Sequence, residues 1–473
     1  MNTLIFLLCF VCWNFPAAYL HSTPPNFTNN WSDQWFQQKL DHFSNTTETW
    51  NQSYTLNAEY YDFNGTVFLM IEAVQEEIME SYFHRLWLEE YCKIFDAFCI
   101  RLTHRYYGAS RPTIDISTEN LKFLTIDQAL GDIEEFIVRI TSELRFFELS
   151  KWVLFGMDYT GMLAALSRVN IPNLVHAVVA SSTPLLVKVD FEDYNKQIEN
   201  IIQKHDPECV ERIKDANQIV NALLQTQSGV EILESKFNFC DGISPNNLKD
   251  KGALFSRLAF IWSAIVQYED LLQDLSIASS CGTMKNDAFE RSIDRYAVIV
   301  NKFNTMHNIP CTSCNYIADI NGARKTSWDA DIAKFGYRQW FYQMCTEIGL
   351  LFSSNHENLI FHDYLPVAFY VDMCKDIFGQ QFNLNTITRG VSQTNLMLAN
   401  LQANGDRMIF VQGTDDPWSV LEINYVNLLN DNVAVIINGG THCSDMFPPR
   451  PTDSTSLNEA RLLIIQNLNR LLA

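Results

Sequence analysis

The feature that most restricts what this chain can fold into is a series of three apolar runs, each emptying into a turn that carries a chemically useful side chain. Residues 152–161 read Trp-Val-Leu-Phe-Gly-Met-Asp-Tyr-Thr-Gly, a buried strand entering a glycine-flanked turn and then a helix. Gln412-Gly-Thr-Asp-Asp-Pro-Trp418 follows the run 408–411 (MIFV), and Asn438-Gly-Gly-Thr-His-Cys443 follows 433–437 (VAVII). A glycine-rich turn alone is common, Asp-Pro-Trp could cap any loop, and a solitary His442 would ordinarily bond to backbone. Three such segments in order, each after a predicted strand, leave few architectures open.

A strand-to-helix turn that lifts one side chain above a sheet is a nucleophile elbow, and elbow, acid, histidine is the chain order of α/β-hydrolases. The rest of the chain agrees. Short β-rich runs occur at 66–71 (TVFLMI), 97–103 (AFCIRLT), 152–155 and 176–181 (HAVVAS). Between the second and third, 126–147 places Ala129, Ile133, Phe136, Ile137 and Ile140 at helical spacing, and another helix is expected from near Thr160. Alternating strands and helices predict a mostly parallel, doubly wound sheet. After Asp190 the stretches 194–213, 218–234 and 254–275 read as helices; strands return only at 408, and 458–472 predicts a closing amphipathic helix. The expected fold is α/β, an α/β-hydrolase with a large inserted helical, disulfide-containing cap: a signal peptide over 1–18, the first part of the sheet domain over 19–190, the cap over 191–395 and the second part of the sheet domain over 396–473.

Residues 4–15 (LIFLLCFVCWNF) form an apolar block too short to span a bilayer comfortably, and Pro16, Ala17 and Ala18 suit signal-peptidase cleavage. Five glycosylation sequons follow, at Asn26, Asn30, Asn45, Asn51 and Asn64. Ten cysteines lie beyond the leader, and an oxidising lumen would let them pair. Cys209, Cys240, Cys281, Cys311, Cys314, Cys345 and Cys374 are the disulfide candidates. Cys311-x-x-Cys314 has no second CxxC or paired histidines nearby, so a structural bridge is preferred to a zinc or redox motif. Lys plus Arg number 34 against 55 Asp plus Glu, a formal charge of −21. That balance excludes a phosphate-backbone binder and disfavours anionic membrane surfaces. No other run is long and apolar enough to be a membrane span, so a soluble mature chain is expected.

Several stretches resemble the secreted and lysosomal serine peptidases comprising prolyl carboxypeptidase, dipeptidyl peptidase II and thymus-specific serine protease. They are Gln38-Lys-Leu-Asp-His-Phe43, His104-Arg-Tyr-Tyr-Gly-Ala-Ser-Arg-Pro112, Asn120-Leu-Lys-Phe-Leu-Thr-Ile-Asp-Gln-Ala-Leu130, Ala180-Ser-Ser-Thr-Pro184, Asp416-Pro-Trp418 and Gly440-Thr-His-Cys443. The resemblance runs from residue 38 almost to the end. It implies an α/β-hydrolase core with an inserted helical domain, cleavage after proline or of N-terminal dipeptides, activity in acidic compartments, and no cofactor or metal. Position by position it implies that Asp416 is the triad acid, with Asp415 the competitor, that His442 is the general base, and that Cys345 pairs with Cys374. Cys92, Cys99 and Cys443 remain unassigned.

Two segments depart from the family's pattern. At the elbow the family reads Gly-Gly-Ser-Tyr-Ser/Gly-Gly, and Gly156-Met-Asp-Tyr-Thr-Gly161 puts Asp158 where that serine stands. The family's Gly-Gly-Glu-Gly appears as Glu72-Ala-Val-Gln75, followed by Glu76, Glu77 and Glu80, and its Glu before His-Arg-Tyr-Tyr is replaced by Thr103. Aspartate has no hydroxyl for histidine to activate, and loss of a nucleophile costs on the order of 10⁶ in turnover. The backbone N–H of Tyr159, just after the elbow, falls where an oxyanion-hole donor belongs. Asp158 is expected to sit at the head of the elbow helix and to pair with a protonated His442, giving an Asp158–His442–Asp416 ion cluster with a raised histidine pKa. Ser167, Ser181 and Ser182 occupy no elbow and are expected to be structural. The expectation is an impaired peptidase that binds a peptide or protein ligand, as a homodimer or a heterodimer with an active relative. The alternatives are an active serine-type exopeptidase and an Asp-nucleophile hydrolase of the epoxide or haloalkane type.

Overall fold

The computed structural model describes residues 31–62, 65–73, 87–143, 150–269, 271–355, 358–422 and 431–473. Within them eight strands form one sheet: β1 (Ser32–Lys39), β2 (Thr49–Asn57), β3 (Thr66–Glu72), β4 (Phe98–Thr103), β5 (Lys151–Met157), β6 (Val175–Ser181), β7 (Met408–Gly413) and β8 (Val433–Ile437). Their spatial order is β1-β2-β4-β3-β5-β6-β7-β8. The β1/β2 and β2/β4 pairs are antiparallel, and every pair from β4/β3 onward is parallel. This is an α/β-hydrolase fold. The central strands read as unbroken apolar runs because both faces of a parallel sheet are covered; Val67 to Met70 and Val153 to Phe155 have no exposed surface.

Three helices of the sheet unit matter for the site: α1 (Leu88–Ile94), α2 (Ile126–Glu143) and α3 (Asp158–Asn170). On α2, Ile126, Ala129, Ile133, Phe136, Ile137 and Ile140 are buried, which is the stripe its spacing predicts. The helix predicted over 126–147 is described to Glu143, and the one expected near Thr160 begins at Asp158.

The antiparallel ribbon β1–β2 was not foreseen from the sequence. Its inward positions are Phe36 and Gln38 on one strand and Trp50, Gln52 and Tyr54 on the other, all buried. Two glutamines in that set hide the alternation that marks a strand. They are tolerated because they satisfy each other: Gln38 Nε2 donates to Gln52 Oε1 at 3.0 Å and to the Asp132 carbonyl at 3.1 Å, and Gln52 Nε2 donates to the Thr103 carbonyl at 3.0 Å. Phe36 and Tyr54 both meet Phe136 edge-on, with ring centroids 5.1 Å apart.

Contacts group residues 188–391 as one compact unit and the described residues from 31 to 187 and from 392 to 473 as another. The helical unit is more finely divided than the sequence suggested. The run 194–213 belongs to two helices, Glu192–His205 and Pro207–Leu223, because Asp206 caps the second by accepting the Cys209 N–H and Pro207 opens it. The run 218–234 is likewise split before Gln227–Phe237, whose cap is Thr226. The long helix of the third run spans Leu248–Gln267. The closing helix of the sheet unit is Thr455–Leu472.

Four disulfides join described cysteines: Cys92–Cys99, Cys209–Cys281, Cys240–Cys311 and Cys345–Cys374. The bridge expected within Cys311-x-x-Cys314 does not form; Cys314 is a free, buried thiol. Backbone pairing decides against it. Phe239 forms a bridge with Thr312, Cys240 N donates to the Thr312 carbonyl at 3.0 Å, and Thr312 N donates to the Asn238 carbonyl at 2.7 Å, so Cys311 is held beside Cys240. Cys92–Cys99 ties α1 to β4. No helix among the described residues is long and apolar enough to cross a membrane. Of the sequons, Asn45 and Asn51 are exposed. Asn26, Asn30, Asn64, the leader 1–18 and the acidic positions 75–80 lie outside the described residues.

Candidate active site

The elbow is built by β5 running straight into α3. Asp158 sits at the turn with φ +50°, left-handed backbone that costs a non-glycine residue about 1–3 kcal/mol. Thr160 locks the turn: its Oγ1 accepts the Met157 N–H at 3.0 Å and donates to the Met157 carbonyl at 2.9 Å. Gly156 is required because a Cβ there would meet the Thr160 carbonyl oxygen at 2.3 Å. The local sequence therefore holds one side chain, that of Asp158, at the head of the helix.

The loops after β7 and β8 bring the other two predicted residues together. His442 Nδ1 lies 2.8 Å from Asp416 Oδ2 and 3.0 Å from Oδ1, and both side chains are wholly buried. Asp416 Oδ1 also accepts the Trp418 N–H at 2.9 Å, and the Trp418 and His442 rings lie 6.0 Å apart. Asp415 goes elsewhere, taking the Thr414 hydroxyl at 3.1 Å, so the carboxylate directly before Pro417 is the one that orients the imidazole.

Asp158 does not complete the expected ion cluster. Its Oδ1 and the Nε2 of His442 are both buried without a hydrogen-bond partner. Burial pushes the Asp158 carboxyl up to about 7; the His442 charge and the Tyr159 N–H pull it down in part, while Cys443 and Asp416 add to the rise. Desolvation thus outweighs the pull of the helix dipole on which the sequence argument relied. Burial works against a charged His442, but Asp416 with Cys443 outweighs it and holds the imidazole well above the ordinary histidine range. The raised histidine was expected; its cause is Asp416 and Cys443 rather than a bond to Asp158.

The Tyr159 N–H, the expected oxyanion donor, is near enough to the Asp158 carboxylate to help lower its pKa. The Tyr159 hydroxyl lies 3.3 Å from Nε2 of His104, whose Nδ1 lies 2.6 Å from the Arg105 carbonyl. Burial brings His104 down to about 4, so its imidazole is neutral at ordinary pH. Tyr107, also buried, is pushed up by desolvation and by the Asp158 charge. These aromatic neighbours were missed as site residues, although the His-Arg-Tyr-Tyr motif itself was the signal. The three candidate replacement serines have other work: Ser167 donates to the Leu163 carbonyl at 2.8 Å, Ser181 donates to Asp445, and Ser182 accepts the Cys443 N–H at 2.8 Å. Among the described residues no group of three or more His, Cys, Asp or Glu is arranged to hold a metal ion.

The comparison with known families bears on this geometry. Residues 38–464 match the family described as serine carboxypeptidase S28. The chain belongs to that family. Similar members include a putative serine protease of Caenorhabditis elegans, 30% identical over 94% of this chain and 90% of the relative. Human thymus-specific serine protease is 26% identical over 92% and 85%, and human lysosomal Pro-X carboxypeptidase is 27% identical over 94% and 89%. This S28 chain thus has the hydrolase fold, with His442 held against Asp416 and Asp158 at the turn between β5 and α3.

Proposed function

We propose that this S28 family member is a peptide-binding or partner-binding pseudopeptidase, retaining the fold and an Asp416–His442 pair after exchanging the nucleophilic serine for Asp158. The observation that carries the reading is the elbow side chain itself. A carboxylate offers no hydroxyl for His442 to deprotonate, and its attack on an amide would produce a mixed anhydride, a poor route to hydrolysis. A charged Asp158 beside the Tyr159 N–H would also compete with a developing oxyanion for that donor. The proposed setting is a lysosomal or extracellular compartment reached through the leader at 1–18. The proposed partner is a peptide, a second copy of the chain or an active relative, with Asp158, Asp416, His442 and the Tyr159 N–H as the remnant site.

Incubating the purified protein with proline-containing peptides at pH 4 to 7 tests the reading. No turnover is expected. Cleavage that disappears in His442→Ala would overturn it and establish a working peptidase. Asp158→Ser is expected to recover activity, since a restored nucleophile accounts for up to about 10⁶-fold in turnover. If it recovers none, the altered segment beginning at Glu72 is the next position to restore. Glu72 itself ends β3 and forms an ion pair with Arg101, Nε to Oε1 2.5 Å.

A further inference from the structure

Two aromatic side chains stand exposed among the described residues, Phe43 at 70% and Trp35 at 58%. Both lie on the β1–β2 hairpin. So do the two sequons that fall within the described residues, Asn45-Thr-Thr47 and Asn51-Gln-Ser53, and both asparagines are exposed. Covering an exposed aromatic ring removes apolar area from water and is favourable, and the positions relative to the sequons are specific.

Phe43 precedes Asn45 by two residues in a loop drawn tight by its own polar groups. The Phe43 N–H donates to Asp41 Oδ1 at 3.0 Å, the Glu48 N–H to Thr46 Oγ1 at 3.2 Å, and the Leu40 N–H to the Glu48 carbonyl at 3.0 Å. Phe43 and Asn45 are thus both exposed on one short bend. The second pair is set by strand register. Trp35 is directly opposite Ser53 and Gln37 directly opposite Asn51, so Trp35 faces the hydroxyl residue of the sequon and lies diagonally from its asparagine. That diagonal spacing is about 7–8 Å, within reach of long side chains. Phe36, Gln38, Trp50 and Gln52 point to the buried face, so Trp35 and Asn51 share the open one.

We infer that Asn45 and Asn51 carry N-linked glycans whose first N-acetylglucosamine rests on Phe43 and Trp35, respectively. The apolar face of a pyranose presents weakly positive C–H groups, which suit the negative face of an aromatic ring. The sugar would cover the apolar surface and hold the outer β1–β2 ribbon in its register. Attachment itself uses a lipid-linked diphosphate sugar donor. The asparagine amide nitrogen bonds to the anomeric carbon and loses a proton, and the bond from that carbon to the diphosphate oxygen breaks, the diphosphate leaving with the electron pair. The inference depends on passage through the secretory route proposed above, and it adds which sequons are used and what the glycans touch.

The test is secretory expression of the full chain, glycopeptide mapping, and thermal melts of glycoforms trimmed to a single N-acetylglucosamine. Both Asn45 and Asn51 should be occupied. Phe43→Ala and Trp35→Ala should each lower the melting temperature by about 1–3 °C in the sugar-bearing protein. In an Asn45→Gln, Asn51→Gln background the same substitutions should cost nothing, since both rings are at the surface. Equal losses with and without sugar overturn the stacking. Glycans confined to Asn26, Asn30 or Asn64 overturn the inference while leaving the compartment reading intact, and a chain that acquires no glycan overturns both.

Discussion

Two buried aspartates in the sheet unit meet opposite fates. Asp132, on α2, is fully matched: Arg105 Nε and Nη2 donate to its two oxygens at 2.7 and 2.6 Å, and His42 Nε2 lies 2.8 Å from Oδ1. Arg105 in turn gives Nη1 to the Leu40 and Phe123 carbonyls at 3.1 and 2.9 Å. Asp158 is about as buried, yet one of its oxygens has no hydrogen bond at all. Charges of the first kind hold a fold in register. A carboxylate of the second kind is tolerated only where some other constraint fixes the position; under the proposed function that constraint is the former nucleophile elbow.

Three measurements test that contrast. The largest effect belongs to the matched site. Arg105→Ala leaves Asp132 buried against a lone histidine and should destabilise the protein by about 3–5 kcal/mol in denaturant unfolding; a loss below about 1 kcal/mol would erase the distinction between the two aspartates. Asp158→Asn comes next and has the opposite sign. The folded-state pKa is raised from 3.8 to about 7, so the folded chain binds this proton more tightly than the unfolded one. Stability is then fully present below about pH 4 and declines as pH rises toward 7. The asparagine variant should therefore match the wild type in acid and exceed it by on the order of 2–4 kcal/mol at pH 8. Equal stability across that range would show that Asp158 finds a partner in solution. The smallest effect is expected for Ser181→Ala, which removes the hydroxyl serving Asp445, a carboxyl that burial pushes up to about 6. A loss of about 1–2 kcal/mol is expected at pH 7 and less at pH 5, where Asp445 is already protonated.

Much of this arrangement was legible in the sequence, and the limits are physical. Strands β3 to β8 announce themselves because both faces of a parallel sheet must be apolar, and the elbow because Gly156 and Gly161 permit close backbone approach. The choice between Asp415 and Asp416 was readable only through family resemblance, since adjacent carboxylates point to opposite sides of a turn that no periodicity describes. Ribbon β1–β2 was lost because Gln38 and Gln52 are buried by satisfying each other, a tertiary fact. The Cys311 pairing failed for the same reason: short spacing suggested a local bridge, and strand-like pairing between 238–240 and 312 delivered a partner 71 residues away. Asp158 does sit at the turn where β5 enters its helix, but its protonation was misjudged, because the helix dipole is visible in a sequence and desolvation is not.

The register of β6 against β7 has a consequence for how the molecule is made. Val178 pairs with Met408 and Ser181 with Val411, so the open edge of β6 waits on the ribosome while all of residues 188–391 are synthesised. Over that interval the chain holds Asp158 but neither Asp416 nor His442. An uncovered apolar strand edge is the surface most exposed to wrong pairing during synthesis. Rapid, self-contained folding of the helical unit, stapled by Cys209–Cys281, Cys240–Cys311 and Cys345–Cys374, would shorten the tether across which β7 must find β6. In vivo yield of this protein should therefore follow the oxidation of the helical unit's cysteines.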